Sequence, residues 1–123
     1  MKKLLLLCIL LFLSSCFLFQ EKGIDYKVIN NSSYTITNVK ISTSEHLDSV
    51  TYDSIAPNES REGFLSMKNN KSDGSYMLSY TKADGNIVAE EAGYYTNGSA
   101  LDDWIRFEVT NDTTRITFGK FPN

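Results

Sequence analysis

Few residues in this chain could do chemistry, and they stand apart from one another. There is one histidine, His46, in the polar stretch STSEHLDS, and there are two cysteines, Cys8 and Cys16. A catalytic triad or a zinc site needs partners for a histidine, and no second histidine exists. Two adjacent acid pairs, Glu90-Glu91 and Asp102-Asp103, invite an acid–base reading. Successive side chains of a strand point to opposite faces, so Glu90 and Glu91 cannot serve one ion or substrate. Asp102 and Asp103, at a loop-to-strand edge, are less constrained. The Asp-x-Asp-x-Asn-Gly spacing of a calcium loop, the Gly-x-Ser-x-Gly elbow and a phosphate loop are all missing from the sequence. The expectation is a non-enzyme with no catalytic residues, no metal and no cofactor.

Cys16 differs because of what precedes it. Met1-Lys2-Lys3 is a short positive start, Leu4 to Leu13 is an uncharged apolar run, and Ser14 and Ser15 are small. That order is the pattern of an export signal. A spanning helix needs about 20 apolar residues, and the greasy stretch here ends at Phe19 with two serines inside it. Leu13-Ser14-Ser15-Cys16 resembles the lipobox of bacterial lipoproteins. The resemblance implies a diacylglycerol thioether on Cys16 and cleavage just before it. It thus implies a signal peptide over 1–15, a lipidated cysteine and short tether over 16–23, and a folded domain over 24–123. It also implies a lipid-anchored, extracytoplasmic place in the bacterial cell envelope. Cys8 would leave with the signal, so the folded domain would hold no disulfide and depend on its core alone.

The charge balance narrows the partners. The chain has 12 Lys and Arg against 15 Asp and Glu. Loss of Lys2 and Lys3 with the signal makes the remainder more acidic still. Phosphate binding needs a basic face, so nucleic acid is not an expected partner.

The elements that position these residues read as strands. Val39 and Ile41 alternate in TNVKIS; Tyr76, Leu78 and Tyr80 in SYMLSYT; Ile105, Phe107 and Val109 in WIRFEVT; Ile116 and Phe118 in RITFG. Period-two alternation of aromatic and β-branched residues is the strand signal. Turn residues punctuate it at 30–33, 56–60, 69–74, 84–85, 97–98 and 111–112. Ala83-Asp84-Gly85-Asn86 is the best hairpin turn. The Asn-x-Ser/Thr triplets at Asn30, Asn31, Asn58, Asn70, Asn97 and Asn111 fall in these breaks and read as turn residues. Strands are expected near 24–30, 34–43, 49–55, 61–67, 75–82, 86–95, 103–110 and 114–119. Seven or eight strands in about a hundred residues predict an all-β, antiparallel two-sheet sandwich, with a small closed barrel as the alternative. NNSSYTITNVKIS followed by SIAPNES resembles the opening strands of FxLYD-type domains of bacterial surface proteins. That resemblance, over residues 30–67, implies an immunoglobulin-like sandwich.

The remaining candidate lies in GYYTNGSALDDWIRF. Tyr94 and Tyr95 end one strand, and Trp104 begins the next on the face opposite Ile105 and Phe107. Aromatic side chains at a loop rim bury large area at small entropic cost. Trp104 is expected either to cap the end of the core or, with Tyr94 or Tyr95 and Asp102 or Asp103, to form a contact surface for a protein or glycan. The functional expectation is a membrane-anchored, non-catalytic binding module. The alternatives are an accessory subunit of an envelope complex and a small carboxylate-based hydrolase.

Overall fold

Alternation becomes strands in the computed structural model, which describes residues 21–123. The expected signal peptide, Cys16 and most of the expected tether lie outside the described residues. The strands are β1 (Gly23–Asn30), β2 (Ile36–Thr43), β3 (Ser49–Ile55), β4 (Ser60–Ser66), β5 (Gly74–Thr81), β6 (Ile87–Thr96), β7 (Ser99–Ala100), β8 (Trp104–Val109) and β9 (Thr114–Gly119). No helix occurs among the described residues. The protein is all-β, with a four-stranded sheet ordered β4-β1-β8-β9 and a five-stranded sheet ordered β3-β2-β5-β6-β7.

One core serves both sheets. Ile24, Tyr26, Val28, Leu65, Ile105, Phe107 and Val109 come from the first, and Ile36, Val39, Ile41, Ile55, Tyr76, Leu78, Tyr80 and Tyr95 from the second. The chain crosses between sheets four times, so neither can form its buried face without the other.

Two features depart from the expected pattern. Pairing is not wholly antiparallel: β1 and β8 run parallel, with Asp25 opposite Trp104 and Asn30 opposite Val109. Parallel neighbours need a long connection, and here β2 to β7 supply it. There are also nine strands among the described residues, because Ser99–Ala100 pairs with Tyr95–Thr96 across the Asn97-Gly98 turn. Two residues are too short to show a period. Both turn residues have positive φ, 49° and 71°, as a two-residue hairpin of this kind requires.

Local irregularities aim side chains at the core. Asn38 has φ of 49° where the β2–β5 register shifts. This bulge lets Ile36, Val39 and Ile41 all face inward although their spacing breaks strict alternation. Gly93, with φ of 75°, sits at the matching shift between β5 and β6, beneath the Tyr76 ring. It turns Tyr95 inward and Tyr94 out.

The sheets are tied at one end by Asn30, which is fully buried. Its Nδ2 donates to the carbonyls of Tyr34 at 2.8 Å and Ile55 at 2.9 Å. Its Oδ1 accepts from the Ser32 amide and hydroxyl. Its backbone bonds Asn58 and Glu59 in the β3–β4 turn. Replacing Asn30 by Asp keeps the shape but removes both side-chain donors. The Tyr34 carbonyl keeps the Ser32 hydroxyl at 2.9 Å, but the Ile55 carbonyl loses its buried side-chain donor, at a cost of about 1–3 kcal/mol. Asn30→Asp should therefore lose about 1–3 kcal/mol in urea unfolding followed by Trp104 fluorescence. A loss below about 1 kcal/mol would show that the amide does not tie the sheets.

Candidate functional site

The register of the four-stranded sheet sets out its outer face in rows. Phe64 of β4, Asp25 of β1, Trp104 of β8 and Gly119 of β9 are cross-strand neighbours. The next row is Glu62, Lys27, Arg106 and Thr117. Strands lie about 4.8 Å apart, so the backbones carrying Phe64 and Trp104 flank that of Asp25 with about 10 Å between them. Phe64 leans in over the start of β1, and Trp104 leans away over β9. Phe64 covers Gly23, where a Cβ would collide with the ring, and Trp104 lies over Gly119. The indole Nε1 donates to the Lys120 carbonyl at 3.3 Å. Between the rings runs a groove of about 590 Å³, lined also by Tyr26, Lys27, Glu62, Arg106 and Phe121. A smaller hollow of about 380 Å³ continues from it, past Phe64 and Phe121, to Gly23, Asp102 and Asp103.

The groove has aromatic walls and a charged floor of both signs. Lys27 Nζ stands 3.9 Å from Glu62 Oε2, an exposed and weak pair. Arg106 makes no ion pair among the described residues. Such a surface can stack and hydrogen-bond a partner.

The residues expected at a contact surface are divided by the structure. Trp104 is half-buried on the groove wall, on the face opposite Ile105 and Phe107. Asp103 holds the C-terminal tail: Oδ2 accepts from the Phe121 amide at 2.8 Å and Oδ1 lies 3.7 Å from Lys120 Nζ. Asp102 lines the smaller hollow. Burial, aided by the Asp102 charge, pushes the Tyr76 hydroxyl well above its ordinary range. Tyr95 is inside the core, its hydroxyl donating to Glu45 at 2.9 Å, and is not available to a partner. Tyr94 is exposed on the other sheet, where its hydroxyl donates to Asp73 at 2.6 Å. It belongs to a polar clamp on the β6–β7 turn, since Asp73 also accepts from Thr96 and the Asn97 amide.

The other candidates stay apart. His46 is exposed in the β2–β3 loop with φ of 55°. Glu91 accepts from Ser75, and its neighbour Glu90 pairs across from buried Leu78. No group of three or more His, Cys, Asp or Glu side chains assembles among the described residues. Phe64, Asp25, Lys27 and Phe121 were not singled out in the sequence. Phe64 shares a strand face with Glu62 in REGFLS, but its approach to Trp104 depends on a register that no local pattern reveals.

No protein family's model matches the sequence, and no curated protein matches it. Among solved structures the chain is similar to the NMR structure of a protein from Eubacterium rectale, at 10% identity and a TM-score of 0.55. The likeness covers 81% of this chain and 91% of that one. At that identity it concerns the fold alone.

Two outcomes follow. Trp104 is only half-buried, so Trp104→Ala should cost about 1–2 kcal/mol of apolar burial. A fully packed aromatic would cost about 3–5 kcal/mol. Urea unfolding followed by far-UV dichroism separates the two. The hydrogen bond from Tyr94, then those from Asn97 and Thr96, hold the Asp73 carboxyl below its ordinary value of 3.8. A depressed carboxyl stabilises the fold above its unfolded value, and that contribution disappears as pH falls through the folded value. Tyr94→Phe should therefore raise the Asp73 midpoint in an NMR titration and bring acid destabilisation to higher pH. An unmoved midpoint would contradict the assigned cause.

Proposed function

We propose that this chain is a lipid-anchored, extracytoplasmic protein of a bacterial cell envelope. Its folded part is an immunoglobulin-like sandwich that binds a protein or glycan partner without catalysis. The anchor rests on Leu13-Ser14-Ser15-Cys16 placed after a positive start and a ten-residue apolar run. The sandwich reading is supported by two sheets packed on one core. The observation that carries the binding reading is the groove between Phe64 and Trp104. It is an aromatic-walled surface on the outside of a sheet whose inner face is already occupied by the core. Exposed aromatic side chains beside charged groups are the usual anchors of recognition.

The anchor is tested by expressing the full chain with its signal in a bacterium. The wild type should partition into detergent with a lipid mass on Cys16, and Cys16→Ala should leave an uncleaved precursor or a chain without lipid. Signal removal with membrane binding intact in Cys16→Ala would refute it. The binding face is tested in intact envelopes with a photo-crosslinking residue at position 27, in the groove, or at position 51, on exposed β3. A defined adduct from 27 alone supports the groove as the contact surface. Adducts from both, or from neither, reject it.

A further inference from the structure

The two ends of the sandwich differ in surface. At one end lie the turns 31–35, 56–59, 82–86 and 110–113, rich in Asn, Ser, Asp and Thr. Of the exposed large apolar side chains among the described residues, only Ile87 belongs there. The others gather toward the opposite end. Gly23 begins β1, opposite Ser66 at the end of β4, while Trp104 begins β8 opposite Gly119 at the end of β9. Phe64, Leu101 and Phe121 sit around this end of the four-stranded sheet and are 41%, 45% and 52% exposed. The second sheet ends here too, because Lys22 bonds Met67 and Ser72 bonds Gly98. Leu47 and Tyr94 add to the same end.

This is also the end at which the chain enters. Glu21, Lys22 and Gly23 line the smaller hollow together with Phe64 and Phe121. Only Phe17 to Gln20 separate Cys16 from Glu21. Five residue steps span at most about 18 Å, less than the length of a long strand. A lipid on Cys16 would hold this end, and no other, against the bilayer.

We propose that Phe64, Leu101 and Phe121 form a membrane-seating surface that rests in the lipid headgroup layer. The proposal rests on the anchor reading above and adds an orientation to it. The strands stand steeply to the bilayer, the groove meets the headgroup layer at Phe64 and Phe121 and runs up past Lys27 and Glu62, and the polar turns face away. Exposed Phe and Leu side chains settle into the boundary between headgroups and acyl chains, and a lipid chain together with a second apolar contact holds more firmly than either alone. Lys22 and Lys120 beside Asp102 and Asp103 give the end mixed charge, so the seating does not call for anionic lipid.

Trp104 is the chain's single tryptophan and stands at this end, which provides the probe. The full chain, expressed with its signal and purified in detergent, is reconstituted into phosphatidylcholine vesicles with or without bromine on the upper acyl carbons. Intact mass reports the lipid on Cys16 separately. Seating predicts Trp104 emission about two-fold lower in brominated vesicles, as for an indole held at the interface. The exposed pair Leu101→Ser with Phe121→Ser, which leaves the core untouched, should restore most of that emission. Lipidated, vesicle-bound protein with unquenched Trp104, or quenching unchanged in the double variant, overturns the seating and leaves the anchor standing. A chain without lipid on Cys16 overturns both.

Discussion

The structure depends on a single buried amide at the polar end. The described residues contain no cysteine, so no disulfide joins the two sheets. Asn30 takes that place. It reaches the start of β2 through Tyr34, the end of β3 through Ile55 and the following turn through Asn58 and Glu59. A neutral amide suits this position because it donates and accepts at once, and every polar atom it buries finds a partner. With this corner closed, the sheets meet at a set spacing and the aromatic core can fill it. At the other side of the core the Tyr26 hydroxyl crosses Gly63 to bond Tyr52 of β3. Burial first, then that hydrogen bond, pushes the Tyr26 hydroxyl far up.

The strands were legible because burial follows alternation so closely. Each of Tyr76, Leu78, Tyr80, Ile105, Phe107 and Val109 is buried as its period requires. The Asp84-Gly85 hairpin also forms where its turn residues stand, with Asn86 bonding Asp84. Architecture was less legible. Whether β1 pairs with β8 in parallel depends on the path of all the chain between them, and no local signal carries that. Phe118 shows a related limit. It alternates correctly, yet is 45% exposed because β9 is an edge strand with little beyond it.

The groove around Trp104 was legible in part for the same reason. Trp104 could be assigned to an outward face from its own strand. Tyr94 and Tyr95 could be assigned to opposite faces, but which one turned in was decided by the bulge at Gly93. The neighbours that make Trp104 part of a groove arrive from β1, β4 and the C-terminal tail. Binding surfaces on sheets are assembled across strands, so a sequence shows their members one at a time.

The parallel pair at the centre of the four-stranded sheet governs when the protein can fold. β1 enters first in any directional synthesis or passage, but its central neighbour β8 is among the last segments to follow. Until it arrives, one long edge of β1 is bare and the inner residues Ile105, Phe107 and Val109 are missing from the core. Sequence-distant pairing of this kind slows folding. A chain built this way stays unfolded while any machine is still threading it. Commitment to the native state waits until nearly the whole domain is free to pair, because β8 must be present before the central pair of the four-stranded sheet can close.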